Sequence, residues 1–415
     1  MSSSNPTQSP GLPLTDIRVV EVGVWHAGPG ASAILADMGA EVIKVETLEG
    51  DPERIHGNIG PMEKLPPGMP NWTPLFEFTN RSKRSISLDI TSPRGREVFE
   101  RLVTDADVFV TNLRTSTKPK LGLDYARLTA INPHLIYLSV TGFGSEGPRA
   151  DAGGFDPMGQ AISGMLFLSG LETPTLLQSI ILDQLTAITA SHAVLTALYN
   201  READPQRRGQ EVSTSLYGAA VWLMEMNLML VSILGEEVDV SWDRAKNPPL
   251  RTTYRCGDGG WLIGTMHPQE KYWGGFCAAI GRPDLEHDPR YATRAARMLV
   301  NEELIALIDE IMLTRTRDEW VEEFNKHGVL FAPVNRIPDV LEDEQAQVNG
   351  YVAEMTHRVL GKLRVPGFPI RYGGFEATPV RREAPTLGEH TDEVLAELGY
   401  SADAIARMRA DKAAG

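Results

Sequence analysis

Carboxylates carry most of the reactive potential of this 415-residue chain. Its nine histidines stand apart at 26, 56, 134, 192, 267, 287, 327, 357 and 390, and no H-E-x-x-H or C-x-x-C gathers a metal site. The nearest approach to G-x-S-x-G is Phe143-Gly144-Ser145-Glu146-Gly147, which lacks the first glycine, and there is no P-loop. Among the acids, Asp183 is the best placed. It follows the mostly apolar run Ser179-Ile180-Ile181-Leu182 and opens a helix rich in small residues. Aspartate is a preferred N-cap, so one reading of it is structural. The other is a carboxylate delivered where strand passes into helix, close to where open α/β sheets bind ligands. Partly desolvated beside an activated carbonyl, such a carboxylate can act as a covalent nucleophile. The two readings are compatible, since capping would fix the direction of the side chain.

A second candidate lies near the start. An apolar run, Val19 to Val24, leads into Gly28-Pro29-Gly30-Ala31-Ser32-Ala33, a string of the G-x-G-x-x-A kind, and a further strand closes on Glu46. That is the outline of a dinucleotide fingerprint with its ribose-binding acid. The spacing argues against it. Trp25, His26 and Ala27 lengthen the loop, and Pro29 has no N–H to offer a pyrophosphate. The small residues are better read as letting a helix pack on the sheet.

Strand and helix signals alternate through the first half. IRVVEVGV, EVIKVE, SISLDI, DVFVTNL and LIYLSVTGFG read as buried strands. GASAILADMGA, TSPRGREVFERLVTDA and LDYARLTAINP between them carry helical spacing, with Ser92-Pro93 a hydroxyl cap and first-turn proline. Such alternation predicts a parallel, doubly wound sheet. A long helix is expected from Leu182 to Tyr199, then a turn at Asp204–Gly209, a strand in QEVSTSL and one more helix over 216–235. On that last helix Trp222, Met226 and Met229 share a face and read as core. The polar, proline-bearing stretch at 240–250 marks a crossing into a second domain. That domain opens with a hairpin turning at Asp258-Gly259 and continues as helices. Extended segments then lead to a final helix over 391–410.

Composition limits the function classes. The formal charge of −15 argues against a general nucleic-acid binder, while leaving an anionic small ligand open. No stretch reads as the roughly 18 continuous apolar residues of a membrane helix. Residues 1–13 read as a disordered tail, not a signal peptide. Two cysteines, Cys256 and Cys277, fit a reducing cytoplasm and no disulfide framework.

Taken in order, several segments resemble the family III CoA-transferases, the group of formyl-CoA, carnitine and bile-acid CoA-transferases. They are Ala27-Gly28-Pro29 with GAEVIKVE, Asn80-Arg81-Ser82-Lys83-Arg84-Ser85 with Leu88-Asp89, TGFGSEGP, GFDPMGQAISG, Asp183 and its helix, GQEVSTSL, APVN and APTLGEHTDEVLAELGY. The likeness runs from about Leu14 to Tyr400. It implies an α/β fold: a Rossmann-like large domain built from both chain ends, a smaller inserted α+β domain, and two chains interlocked as a homodimer. The domain boundaries so drawn are 14–238 for the first part of the large domain, 239–345 for the small one, and 346–415 for the return segment.

The resemblance also implies a reaction. CoA would pass from an acyl-CoA to a free carboxylic acid through an aspartyl anhydride and an aspartyl-CoA thioester on Asp183. No permanently bound cofactor is implied; coenzyme A enters and leaves as substrate and product. Trp25, His26 and Ala27 match the loop along the pantetheine and adenine. Leu88, Asn112 and Leu121 match the nucleotide side, Lys120 stands where phosphates are held, and Phe155 stands in the pocket. Thr47 and Thr91 replace basic residues of some relatives, so Lys83, Arg84, Arg114 or Lys118 are candidates to neutralise phosphate. His26 could instead satisfy backbone groups, and His192 reads as core. Gly257–Gly260 resembles in composition an active-site glycine loop and reads as a plain turn. The 2-methylacyl-CoA racemases share this fold and carry histidine where this chain has Phe155, which argues against racemisation.

Overall fold

The computed structural model describes residues 11–56, 72–169, 173–237, 244, 246–374 and 382–415. The elements of the first half are β1 (Arg18–Val22), α1 (Ala27–Asp37), β2 (Glu41–Glu46), α2 (Glu53–His56), α3 (Pro74–Asn80), β3 (Arg84–Ser87), α4 (Pro93–Thr104), β4 (Val108–Thr111), α5 (Thr117–Lys120) and α6 (Tyr125–Ile131). They continue with β5 (Ile136–Thr141), α7 (Asp156–Ile162), α8 (Ile181–Ala203), β6 (Glu211–Ser215), α9 (Leu216–Leu223) and α10 (Glu225–Leu234). The six strands form one parallel sheet in the order β3-β2-β1-β4-β5-β6. The order reverses between β1 and β4, and that switch point is where open parallel sheets leave room for a ligand beyond the strand ends.

Local chemistry explains the element ends. Ser92 accepts from the Gly95 amide at 3.1 Å to start α4, with Pro93 in the first turn. Asp124 and Ser215 cap α6 and α9 in the same way. Val19, Val20, Val108, Phe109 and Leu138 are wholly buried, and each such side chain stabilises the fold by about 1.5–3 kcal/mol relative to exposure. A Cβ on Gly30 would lie 3.0 Å from the Ala187 side chain, and one on Gly28 3.2 Å from Asn112. The glycines of the apparent fingerprint thus let α1 approach α8 and the loop after β4.

Helix α8 corrects one expectation. It spans 23 residues and is long and apolar enough to cross a membrane by length and composition. Its small face (Ala187, Ala190, Val194, Ala197) is buried, and it packs against α1, β5 and β6 as a core helix. The helix expected over 216–235 is two helices bent by 65° at Met224, whose ψ of 12° leaves the helical region. Nor are Trp222, Met226 and Met229 core; they are 69%, 67% and 55% exposed.

The chain divides into two compact units. One comprises Met1–Leu166, Thr175–Val238 and Asn349–Gly415, the other Phe167–Pro174 and Asp239–Val348. The junction near 239 and most of the tail over 1–13 lie outside the described residues. The second unit holds β7 (Thr253–Arg255), β8 (Trp261–Gly264), α11 (Gln269–Ala279), α12 (Asp284–His287), α13 (Arg294–Leu299), α14 (Asn301–Met312), α15 (Arg317–Lys326), β9 (Phe331–Pro333), α16 (Ile337–Glu342) and α17 (Glu344–Val348). Strands β7, β8 and β9 pair antiparallel, and the first turn is built as expected: Gly259 takes a φ of +84° and Asp258 accepts from the Gly260 amide. Phe276, Phe324 and Phe331 stack at its centre, and both cysteines are buried and free.

The last segment belongs to the first unit. It contains a hairpin, β10 (Val352–His357) with β11 (Gly361–Pro366), then α18 (Thr391–Glu397) and α19 (Ala402–Ala410). Gly399, at φ +86°, divides the single helix expected here, and Ser401 caps the second piece. Val394, Leu395, Ile405 and Met408 complete the core over the β3 edge, where Gly415 donates to the Ser87 carbonyl.

Candidate active site

A cavity of about 850 Å³ opens beyond the carboxyl ends of β1, β4 and β5, and Asp183 lies in its wall. Asp183 occupies the first turn of α8 but is not its cap; Ile180 holds that position and has no capping side chain. The cap comes from another helix. Asp156, first residue of α7, turns Oδ2 onto the amides of Leu182 (2.6 Å) and Asp183 (3.1 Å). Its Oδ1 accepts from Gln160 at 2.6 Å, and Gln160 also brackets both backbone groups of Leu177, fixing the approach to α8. Asp156 is therefore a buried carboxylate saturated by donors, while the Asp183 carboxylate beside it has no hydrogen-bond partner among the described residues. Burial first, and the Asp156 charge second, push the Asp183 carboxyl up to about 7. A carboxylate of raised basicity that still ionises near neutrality is a competent nucleophile.

The loop after β1 supplies the facing wall. Trp25, His26 and Ala27 all line the cavity. Trp25 takes a φ of +61°, a conformation that costs a non-glycine residue on the order of 1 kcal/mol. Its neighbours hold it there. Asn112 brackets Val24 through both the amide and the carbonyl, and Asp51 accepts from the Trp25 amide at 3.1 Å. Asp51 is itself anchored by Lys44 at 2.9 Å, within a fully buried network in which Lys44 also meets Glu21 at 2.8 Å. The Trp25 ring meets Phe155 edge-on, with centroids 5.4 Å apart.

Among the described residues, His26 satisfies no backbone group with its side chain. Its Nε2 meets Gln184 Oε1 at 3.2 Å, its ring stacks on Phe78, and Nδ1 is buried without a hydrogen-bond partner. Burial pushes its imidazole down to about 4, so the ring is neutral. His192 is not part of the cavity wall.

The basic candidates separate sharply. Arg84 lines neither cavity of this region; Glu41, Glu393 and Glu397 hold its guanidinium in an ion-pair node between β2 and α18. Lys83 is buried against Glu21, Pro29 and Asn80, and Lys118 is buried against Ser139. Lys120 is exposed and lines neither cavity. Arg114 is the one Lys or Arg among the described residues that lines the large cavity. Leu88 and Leu121, with Thr47 and Thr91, line a smaller cavity of about 350 Å³ that shares Val24 and Leu113 with the larger one. Asn112 sits on the large cavity, its amide engaged in holding Val24.

Sequence reading singled out neither Asp156 nor Gln184 nor Glu53 for the site. Asp156-Pro157 at a helix start was a visible signal for the first; nothing local marks the other two. Among the described residues no three His, Cys, Asp or Glu side chains gather to hold a metal ion.

Comparison with known proteins decides the family. The model of CoA-transferase family III matches residues 14–391. This chain belongs to CoA-transferase family III. It is 31% identical over 405 residues to (R)-2-hydroxy-4-methylpentanoate CoA-transferase of Clostridioides difficile, covering 96% of this chain and 98% of that one. It is likewise 31% identical to succinyl-CoA–D-citramalate CoA-transferase of Chloroflexus aurantiacus over 414 residues, 98% of this chain and 99% of the relative. A crystal structure of a CAIB/BAIF family protein from Brucella suis superposes with a TM-score of 0.81 at 31% identity, covering 94% of this chain and all of that one. The family III chain described here is thus a CoA-transferase, an enzyme whose family works on acyl-CoA substrates.

Proposed function

We propose that this enzyme moves CoA from an acyl-CoA donor to a free carboxylic acid with Asp183 as the covalent nucleophile. The observation that carries this reading is an unpaired, half-buried carboxylate on the first turn of α8, facing a cavity large enough for the reacting end of a thioester. An Asp183 oxygen attacks the thioester carbonyl, the C–S bond breaks, and CoA leaves as thiolate, giving a mixed anhydride. The thiolate then attacks the aspartyl carbonyl and expels the donor acid, leaving an aspartyl-CoA thioester. The acceptor carboxylate displaces the thiolate to form a second anhydride. Thiolate attack on the acceptor carbonyl yields the new acyl-CoA and regenerates Asp183. No proton is gained or lost overall. The anhydrides need protection from water, which a cavity walled by Trp25, Phe155 and Leu75 favours.

In this reading the pantetheine runs along Trp25–Ala27, the nucleotide end turns toward Leu88 and Leu121, and Arg114 meets phosphate. The enzyme works as an interlocked homodimer in a reducing cytoplasm. A second copy would cover α10, of whose residues none is buried in one chain, and the two free cysteines suit that compartment. Incubation of wild type and Asp183→Asn with acyl-CoA donors and free acids tests the reading. Transfer by wild type alone is expected; equal transfer by the variant would overturn it. Size-exclusion chromatography with light scattering tests the dimer, and a monomer at micromolar concentration would contradict it.

A further inference from the structure

The transfer steps above give the side chains of one polar pair in the large cavity no chemical part. His26 and Glu53 are 3% and 1% exposed, and both line the cavity that holds Asp183. Glu53 Oε2 pairs with the Thr79 hydroxyl at 2.6 Å, while Oε1 faces His26 Nδ1 at 3.9 Å. That separation is too long for a hydrogen bond. Burial pushes the Glu53 carboxyl up to about 7 and the imidazole down to about 4, so the pair is no ion pair at neutral pH. Nδ1 is left without a partner among the described residues, in a place where an unmade hydrogen bond is expensive.

The geometry points to a hydroxyl-recognition site formed by His26 and Glu53, through which the enzyme selects hydroxy acids over acids of the same skeleton without the hydroxyl. An oxygen set to one side of the Nδ1–Oε1 line lies within hydrogen-bond reach of both atoms. With Nε2–H donating to Gln184 Oε1, Nδ1 is an acceptor, so a hydroxyl can donate to Nδ1 and accept from the protonated Glu53 carboxyl, which a carbonyl cannot do. The other ring nitrogen reaches Gln184, the residue after the nucleophile. His26, Glu53 and Asp183 line one cavity, so an acid bound there can present its hydroxyl to the pair and its carboxyl to the nucleophile. This rests on the reading of Asp183 as nucleophile.

The test compares kcat/KM for matched pairs of free acids, aliphatic and aromatic, with and without a 2- or 3-hydroxyl, in wild type, Glu53→Leu and Glu53→Gln. The hydroxy acid of the best pair is expected to lead by roughly tenfold or more in wild type, as one buried hydrogen-bonding group permits. Glu53→Leu should bring that ratio close to one while transfer to the plain acid persists, and Glu53→Gln should restore most of it. Equal kcat/KM across every pair in wild type, as when only water fills the gap, overturns the proposal whether or not the Leu variant folds. A ratio that survives Glu53→Leu overturns it too. Loss of Asp183 labelling by acyl-CoA overturns the nucleophile reading, and this proposal with it; retained labelling with equal ratios overturns this proposal alone.

Discussion

Asp156 caps the helix that carries Asp183: one carboxylate oxygen takes the amide protons of Leu182 and Asp183, 2.6 and 3.1 Å away, and leaves the Asp183 side chain unpaired. The two acids thereby divide the work of structure and chemistry. Asp156→Ala strips two amides and Gln160 of their acceptor and should cost about 1–3 kcal/mol of stability, read from denaturant unfolding. Asp156→Asn keeps one acceptor oxygen and should cost less.

The same pair sets the pH dependence. Asp183 must be ionised to attack, and burial with the Asp156 charge holds its carboxyl up to about 7. Transfer should therefore rise with pH through a limb near neutrality, being lost as the carboxyl protonates at lower pH. In Asp156→Asn the like charge is gone, so the limb should move to lower pH. A profile flat from pH 5 to 8 in wild type would contradict the assignment.

Arg114 and Arg84 should respond in opposite ways. Arg114→Ala removes the cation on the large cavity and should raise KM for acyl-CoA severalfold, with a salt dependence and little change in kcat. Arg84→Ala removes a cation shared by three carboxylates and should lower the melting temperature while leaving KM near wild type. Steady-state kinetics beside a thermal melt separates them.

Trp25 combines a strained backbone with a ring in the cavity wall. Trp25→Gly relieves the positive φ but removes the contact with Phe155. Little net loss of stability is expected, together with a raised KM for acyl-CoA. Unchanged kinetics would remove Trp25 from the binding surface.

Much of this was legible in the chain because it is local. Val- and Ile-rich runs mark strands buried on both faces, and Ser92-Pro93 starts α4 as its chemistry requires. Asp183 could be placed at the head of its helix, yet not relieved of capping, because the true cap lies 27 residues upstream. The basic residues were the weakest part of the reading for the same reason. Lys83 finds Glu21 across 62 residues, and Arg84 finds Glu393 and Glu397 in the last helices but one. A cation whose carboxylate is distant in sequence looks free until the fold closes. Glu53 was missed because its environment is made by Thr79 of α3 and His26 of the β1 loop together. Gly399 was visible, and its positive φ explains why one apolar pattern became two helices.

The most direct measurement is covalent trapping. The enzyme is mixed with an acyl-CoA, quenched with hydroxylamine, digested and mapped by mass spectrometry. The account predicts a hydroxamate on Asp183, formed only with acyl-CoA present and missing from Asp183→Asn. A labelled residue elsewhere, or full transfer activity with no adduct on Asp183, would contradict it.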